Sequence, residues 1–179
     1  MSNNPDTPIG LGYEARRERR FEDAKQLFAE AVEFCRGSAE QAALARSLIG
    51  LGQIERDLKN NARALQHYEE AASIYRSLPD PLRLAHTIRH VGDILRVQGS
   101  LEQARPCYEE ALTIYRGHAE TPVLDLANAI RGLALLEAEA GETEQAEPLW
   151  REARELYIAV DVQAGVEESD AQLQRLAGR

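Results

Sequence analysis

Cysteine is scarce in this 179-residue chain, and two thiols, Cys35 and Cys107, are too few for a disulfide framework or a structural zinc site. Both fall where a helix core accepts a small apolar side chain, so they read as reduced packing residues. Long apolar runs are also missing. No stretch approaches the roughly 18 apolar residues that a membrane span needs. Met1 to Thr7, MSNNPDT, has neither the basic start nor the apolar centre of a signal peptide, which points to a cytoplasmic protein without a membrane partner. Basic charge is in deficit: 21 Lys and Arg against 30 Asp and Glu leave a net charge of −9, which argues against a nucleic-acid partner. There is no sustained apolar and polar alternation, and β-branched residues are sparse, so no segment reads as strand. Nor is there a Gly-x-Ser-x-Gly turn or a glycine-rich phosphate loop. The chain therefore reads as a non-enzyme without a cofactor.

What the chain does have is self-similarity. In Leu101 to Tyr115, LEQARPCYEEALTIY, a small, an aromatic and a second small residue stand at Ala104, Tyr108 and Ala111. The triplet recurs as Ala24, Phe28, Ala31, then Ala64, Tyr68, Ala71, then Ala146, Trp150, Ala153, at steps of 40, 40 and 42 residues. A period of that size marks stacked supersecondary units.

Apolar spacing of three and four predicts helices over about 8–18, 22–34, 39–58, 62–78, 82–98, 101–115, 123–140 and 143–160, with a last amphipathic segment over 163–176. Asp6 or Thr7 is expected to cap a helix opening at Pro8, and Thr121 one opening at Pro122. The chain reads as one domain over 1–179, with repeats near 7–36, 39–78, 81–117 and 121–160 and a capping helix near 163–177.

These residues resemble the tetratricopeptide repeat. Its pattern of a large residue, Leu-Gly, and a small-aromatic-small triplet is met by Leu48, Leu51-Gly52, Ala64, Tyr68, Ala71 and by Ile88, Val91-Gly92, Ala104, Tyr108, Ala111. The first repeat keeps Leu11-Gly12, and the fourth has Leu133 followed by Ala134. The usual period of the family is shorter, so the chain is similar to its longer-period branch, found in kinesin light chains and bacterial regulators. The resemblance implies an all-α, right-handed α-solenoid of four helix pairs plus a capping helix, acting as a protein–protein interaction scaffold.

It also implies a concave groove lined by the first helices, on faces turned away from their partners. Those faces carry Tyr13 and Arg16, then Arg46, Ile49, Gln53 and Arg56, then His86, Arg89, Asp93 and Arg96, then Asn128 and Arg131. The expected groove is rich in arginine, while the second helices hold Glu69, Glu70, Glu109 and Glu110. Arginine forks suit an acidic or carboxylate-bearing peptide. The plainer reading is that they pair along their own helices with Glu55, Asp57 or Asp93. The family's lysine and asparagine clamp is not reproduced, since Tyr13, Gln53, Asp93 and Leu135 stand at its asparagine places. His86, His90 and Asp93 share a helix face, but without a third strong ligand no metal is expected. The alternative function is self-association as a homo-oligomer through the ends or convex face, with Val166 and Leu173 on the last helix as the apolar groups concerned.

Overall fold

A computed structural model describes residues 5–178. Among the described residues there are nine helices and no strand: α1 (Asp6–Arg17), α2 (Phe21–Arg36), α3 (Gln41–Asp57), α4 (Asn61–Tyr75), α5 (Pro81–Val97), α6 (Leu101–Arg116), α7 (Val123–Ala140), α8 (Thr143–Ala159) and α9 (Gln163–Ala177). No helix is long and apolar enough to cross a membrane. The chain contacts fall into two compact units, one ending at Thr87 and the other beginning at Ile88, so that α5 contributes its start to the first and its remainder to the second.

In the first unit α2 packs between α1 and α3, α3 packs on α4, and the first helices α1 and α3 touch directly. In the second, α6 packs on α7, α7 on α8 and α8 on α9. The aromatics of the repeated triplet, Phe28, Tyr68, Tyr108 and Trp150, are each fully buried. Glycine lets the first helices close on them. A Cβ on Gly50 would stand 2.3 Å from the Phe28 ring, and one on Gly132 would stand 2.3 Å from the Tyr108 ring. In α8, Trp150 seals a cluster with Ala134 and Ala146, over which Leu135, Leu149, Leu173 and Leu176 lie.

The turn from each first helix to its partner needs one residue in the left-handed region. Arg19 (φ 62°), Lys59 (φ 66°), Gly99 (φ 80°) and Gly141 (φ 85°) fill that place in the four pairs.

Two expected helix starts are corrected. Asp6 does not cap a helix opening at Pro8; Pro5 is the N-cap, Asp6 lies in the first turn, and its carboxylate turns to Arg46 instead. Thr121 makes no cap either. Its hydroxyl donates to the Tyr115 carbonyl at 2.7 Å, and Pro122, extended at ψ 126°, stays outside α7. The expected last helix forms as α9, but its apolar groups are not open: Val166 is half-buried and Leu173 packs over the Trp150 cluster.

Candidate functional site

The first helices carry the expected stripes, but the structure sorts their residues into three kinds. Tyr13, Arg16, Arg46, Gln53, Arg56, His86, Asp93, Arg96, Asn128 and Arg131 are half-exposed. Ile49 is 4% exposed and Arg89 8%, so neither is open to a partner. Both face inward because the stripe is wider than the strip of helix left uncovered by its neighbours. Ile49 is therefore core, and the expectation that it gives apolar contact is corrected. Of the second-helix acids named from the sequence, Glu69, Glu70 and Glu109 are exposed and Glu110 is half-buried; Glu144 and Glu147 of α8 are exposed as well.

In the first unit, Arg16 of α1 holds Asp57 of α3 with both edges of its fork, Nε to Oδ2 at 2.7 Å and Nη2 to Oδ1 at 3.4 Å. Asp57 is thus held by the neighbouring first helix. Arg46 binds Asp6 through Nη2 alone, and its Nε is buried without a partner. The Tyr13 ring stands edge-on to Phe28, with centroids 5.0 Å apart, and its hydroxyl donates weakly to the Arg46 carbonyl at 3.5 Å. Burial raises the Tyr13 phenol above its ordinary pKa, against the pull of Arg83, Arg46 and Arg16. The carbonyl oxygen of Gln53 is buried without a partner.

In the second unit, Asp93 is a structural hub. It accepts from Arg89 at 2.9 Å and from the Tyr108 hydroxyl at 2.9 Å, and His90 Nδ1 lies 3.3 Å from it. Arg89 has only donors, so at its 3.0 Å contact with His90 Nε2 the ring nitrogen accepts, which leaves Nδ1–H to face Asp93. Burial alone would raise the Asp93 carboxyl, but the bond from His90, the Arg89 charge and the Tyr108 bond outweigh it and hold the group well below the carboxylate range. Arg89 and Asp93 therefore serve each other rather than a ligand, as the pairing along one helix foresaw. Arg96 pairs with Glu139 of α7. Arg131 grips Glu168 of α9 with both edges, at 2.5 and 2.7 Å, and Asn128 accepts from the Tyr157 hydroxyl at 2.8 Å. Among the described residues, no three His, Cys, Asp or Glu side chains gather as a metal-ligand set.

Reading for function missed the tyrosines that close the second helices. Tyr75, Tyr115 and Tyr157 recur at steps of 40 and 42, and that recurrence was the available signal. It missed the pairing of Asp6 with Arg46 as well, since partners 40 residues apart leave no local pattern.

Helix pairs whose first helices face one another, with glycine admitting the aromatic of the partner helix, define a stacked helical-repeat protein. The model of the tetratricopeptide repeat matches residues 9–77 and 83–159, and the chain belongs to that family. No curated protein matches it in sequence. Among solved structures it is similar to BtubC (BKLC) from P. vanneervenii, at TM-score 0.78 and 21% identity over 88% of this chain and 66% of that one. It is also similar to aspartyl phosphate phosphatase F from Bacillus subtilis, at TM-score 0.83 and 14% identity over 93% of this chain and 43% of that one. The chain thus spans just under two thirds of the first protein and less than half of the second. At these identities the likeness is one of fold. The tetratricopeptide fold is that of a protein–protein interaction scaffold.

Proposed function

We propose that the first-helix faces bind an extended acidic peptide segment of a partner protein. The observation that carries this reading is the sorting of charge between helices. Half-exposed arginines line first helices, at Arg16, Arg46 and Arg56 in one unit and at Arg96 and Arg131 in the other, while exposed glutamates crowd the second helices. An acidic chain is drawn to the former and repelled by the latter. Several of the arginines already hold an acid of a neighbouring helix, which shows what chemistry their forks accept. The test is an array of end-blocked acidic, neutral and basic peptides probed with wild-type protein and with the double variant Arg46→Glu, Arg56→Glu. Acidic peptides should be retained by the first and lost by the second, with helix content unchanged. Retention by both would place binding elsewhere.

A second reading, self-association through the exposed apolar side of α1, rests on one observation. Leu11 is 47% exposed, whereas its equivalents Leu51 and Val91 are buried. Sedimentation of wild type against Leu11→Glu decides it: a mass that rises with concentration in the first only would support the reading, and equal monomers would end it.

A further inference from the structure

The tyrosines closing α4, α6 and α8 each stand 29 residues after a fixed place on their own first helix, held by Arg46, His86 and Asn128 in turn, and the hydroxyls of Tyr75 and Tyr115 are buried without a partner. In the second unit the pair is Tyr157 and Asn128, a donor meeting an acceptor at 2.8 Å. In the first unit the same pair is Tyr75 and Arg46. Tyr75 is 2% exposed and its hydroxyl has no partner; the Nε of Arg46 is likewise buried with none. A guanidinium offers donors only, so where the second unit has an acceptor the first has a second donor. Leaving a buried donor unmet is costly, and the group that would satisfy both is an anionic acceptor.

The surroundings agree. Burial raises the Tyr75 phenol, and the charged groups acting on it are Arg83, Asp80 and Arg46; Arg83, Arg46 and Arg16 act on Tyr13 close by. Asp6, 60% exposed in the first turn of α1, already meets Arg46, but at Nη2 only. Arg16 and Arg131 each engage a carboxylate through Nε and Nη2 together, whereas Arg96, like Arg46, holds its acid by one terminal nitrogen and leaves Nε unmet. The fork of Arg46 is half filled by a surface acid of the same chain.

We infer that Arg46 and Tyr75, flanked by Tyr13 and Arg83, form a subsite for one side-chain carboxylate of an acidic peptide, and that Asp6 is its resident occupant, displaced on binding. The incoming carboxylate spans Nε and Nη2 of Arg46 and accepts from the Tyr75 hydroxyl. This rests on the peptide-binding reading above and deepens it. A side chain rather than a chain terminus is assigned because the group now in place is itself a side-chain carboxylate.

The test is fluorescence anisotropy with a labelled oligoglutamate blocked at both ends, at low salt. Asp6→Asn should bind about tenfold tighter than wild type, because the competent state is no longer shared with an internal acid. In that background Tyr75→Phe should weaken binding about tenfold, and Arg46→Gln should abolish the gain. The Arg46 Nε–H resonance should shift on titration of the Asp6→Asn protein. Asp6 is exposed and Tyr75→Phe keeps its ring, so thermal melting should be unchanged in both. Equal affinity of Asp6→Asn and wild type, including no binding by either, would overturn the proposal. So would a stronger response to an acetylated oligoglutamine with a free carboxyl end, which would assign the subsite to a chain terminus. If Arg56→Glu weakens the peptide while Asp6→Asn and Tyr75→Phe change nothing, this subsite falls and the broader reading stands. If no arginine reversal matters, the broader reading falls too.

Discussion

The two units are built to one plan and differ at a few places. Moving from the first to the second adds 80 residues, or 82 beyond the longer final step. Arg16–Asp57 becomes Arg96–Glu139, Lys25–Glu55 becomes Arg105–Glu137, and Arg36–Glu70 becomes Arg116–Glu152. Gly12 and Gly50 against Phe28 become Gly92 and Gly132 against Tyr108. The framework is thus repeated in packing and in ion pairs alike. What changes is the polar face: Tyr13 gives way to Asp93, and Arg46 to Asn128. At the changed places the second unit pairs Tyr108 with Asp93 and Tyr157 with Asn128, whereas the first leaves Arg46 Nε and the Tyr75 hydroxyl unmet; elsewhere in the second unit Arg89 Nε, Arg96 Nε and the Tyr115 hydroxyl are unmet as well. The shared residues carry the fold, and under the proposed reading specificity lies in those that are not shared.

The largest effects should come from the shared glycines. Gly50→Ala and Gly132→Ala each force a methyl group into an aromatic ring and should each cost about 3 kcal/mol in urea unfolding. Gly10→Ala, with open space around it, should gain about 1 kcal/mol from helix propensity. A neutral Gly132→Ala beside a costly Gly50→Ala would break the equivalence.

The next effect is in the buried acids. Lys25→Met strands Glu55, whose side chain is 2% exposed, and Arg105→Met strands Glu137, at 4%; each should cost about 2 kcal/mol. Burial would raise the Glu55 carboxyl, but bonds from Lys25 and Asn60 outweigh it and the folded pKa lies below its ordinary value. Its contribution is therefore complete above the unfolded value of about 4.3 and is lost as pH falls through the folded one. Glu55→Gln should flatten that acid limb of a stability-against-pH curve, and an unchanged limb would remove Glu55 from the account.

Smaller still are the turns. Lys59 holds a left-handed backbone that Gly141 adopts without a Cβ penalty, so Lys59→Gly should gain up to about 1 kcal/mol and Gly141→Ala should lose about as much. Thermal melting of the two checks the signs. Last come the exposed pairs: double-mutant cycles on Arg36–Glu70 and Arg116–Glu152 should each give under about 0.5 kcal/mol.

Most of the fold was legible because a repeat states its pattern four times. Expected ends such as Leu101 and Tyr115, or Val123 and Ala140, fall within a residue of α6 and α7. Where a signal stood alone it misled: Asp6 before Pro8 has the form of a cap, but a carboxylate answers to the strongest cation in reach, and Arg46 lies 40 residues away. The candidate face was legible as a stripe, though not its inner boundary. Ile49 and Arg89 share the spacing of their exposed neighbours, and only packing shows that they are covered. The pairings were hidden for a related reason, because Arg16 reaches the next first helix rather than the next turn. The 41-residue offset from Arg16 to Asp57, matched by 43 from Arg96 to Glu139 across the longer final step, was the trace of it in the sequence.

The central claim is that the first-helix face, with Arg46 at its focus, receives an acidic peptide. Amide chemical shifts of isotopically labelled protein, followed while a blocked oligoglutamate is added, test it most directly. The account predicts shifts gathered around Tyr13, Arg46, Gln53 and Arg83, with Glu69 and Glu70 silent. Shifts gathered on α2 and α4 instead, or none at a saturating excess of peptide, would contradict it.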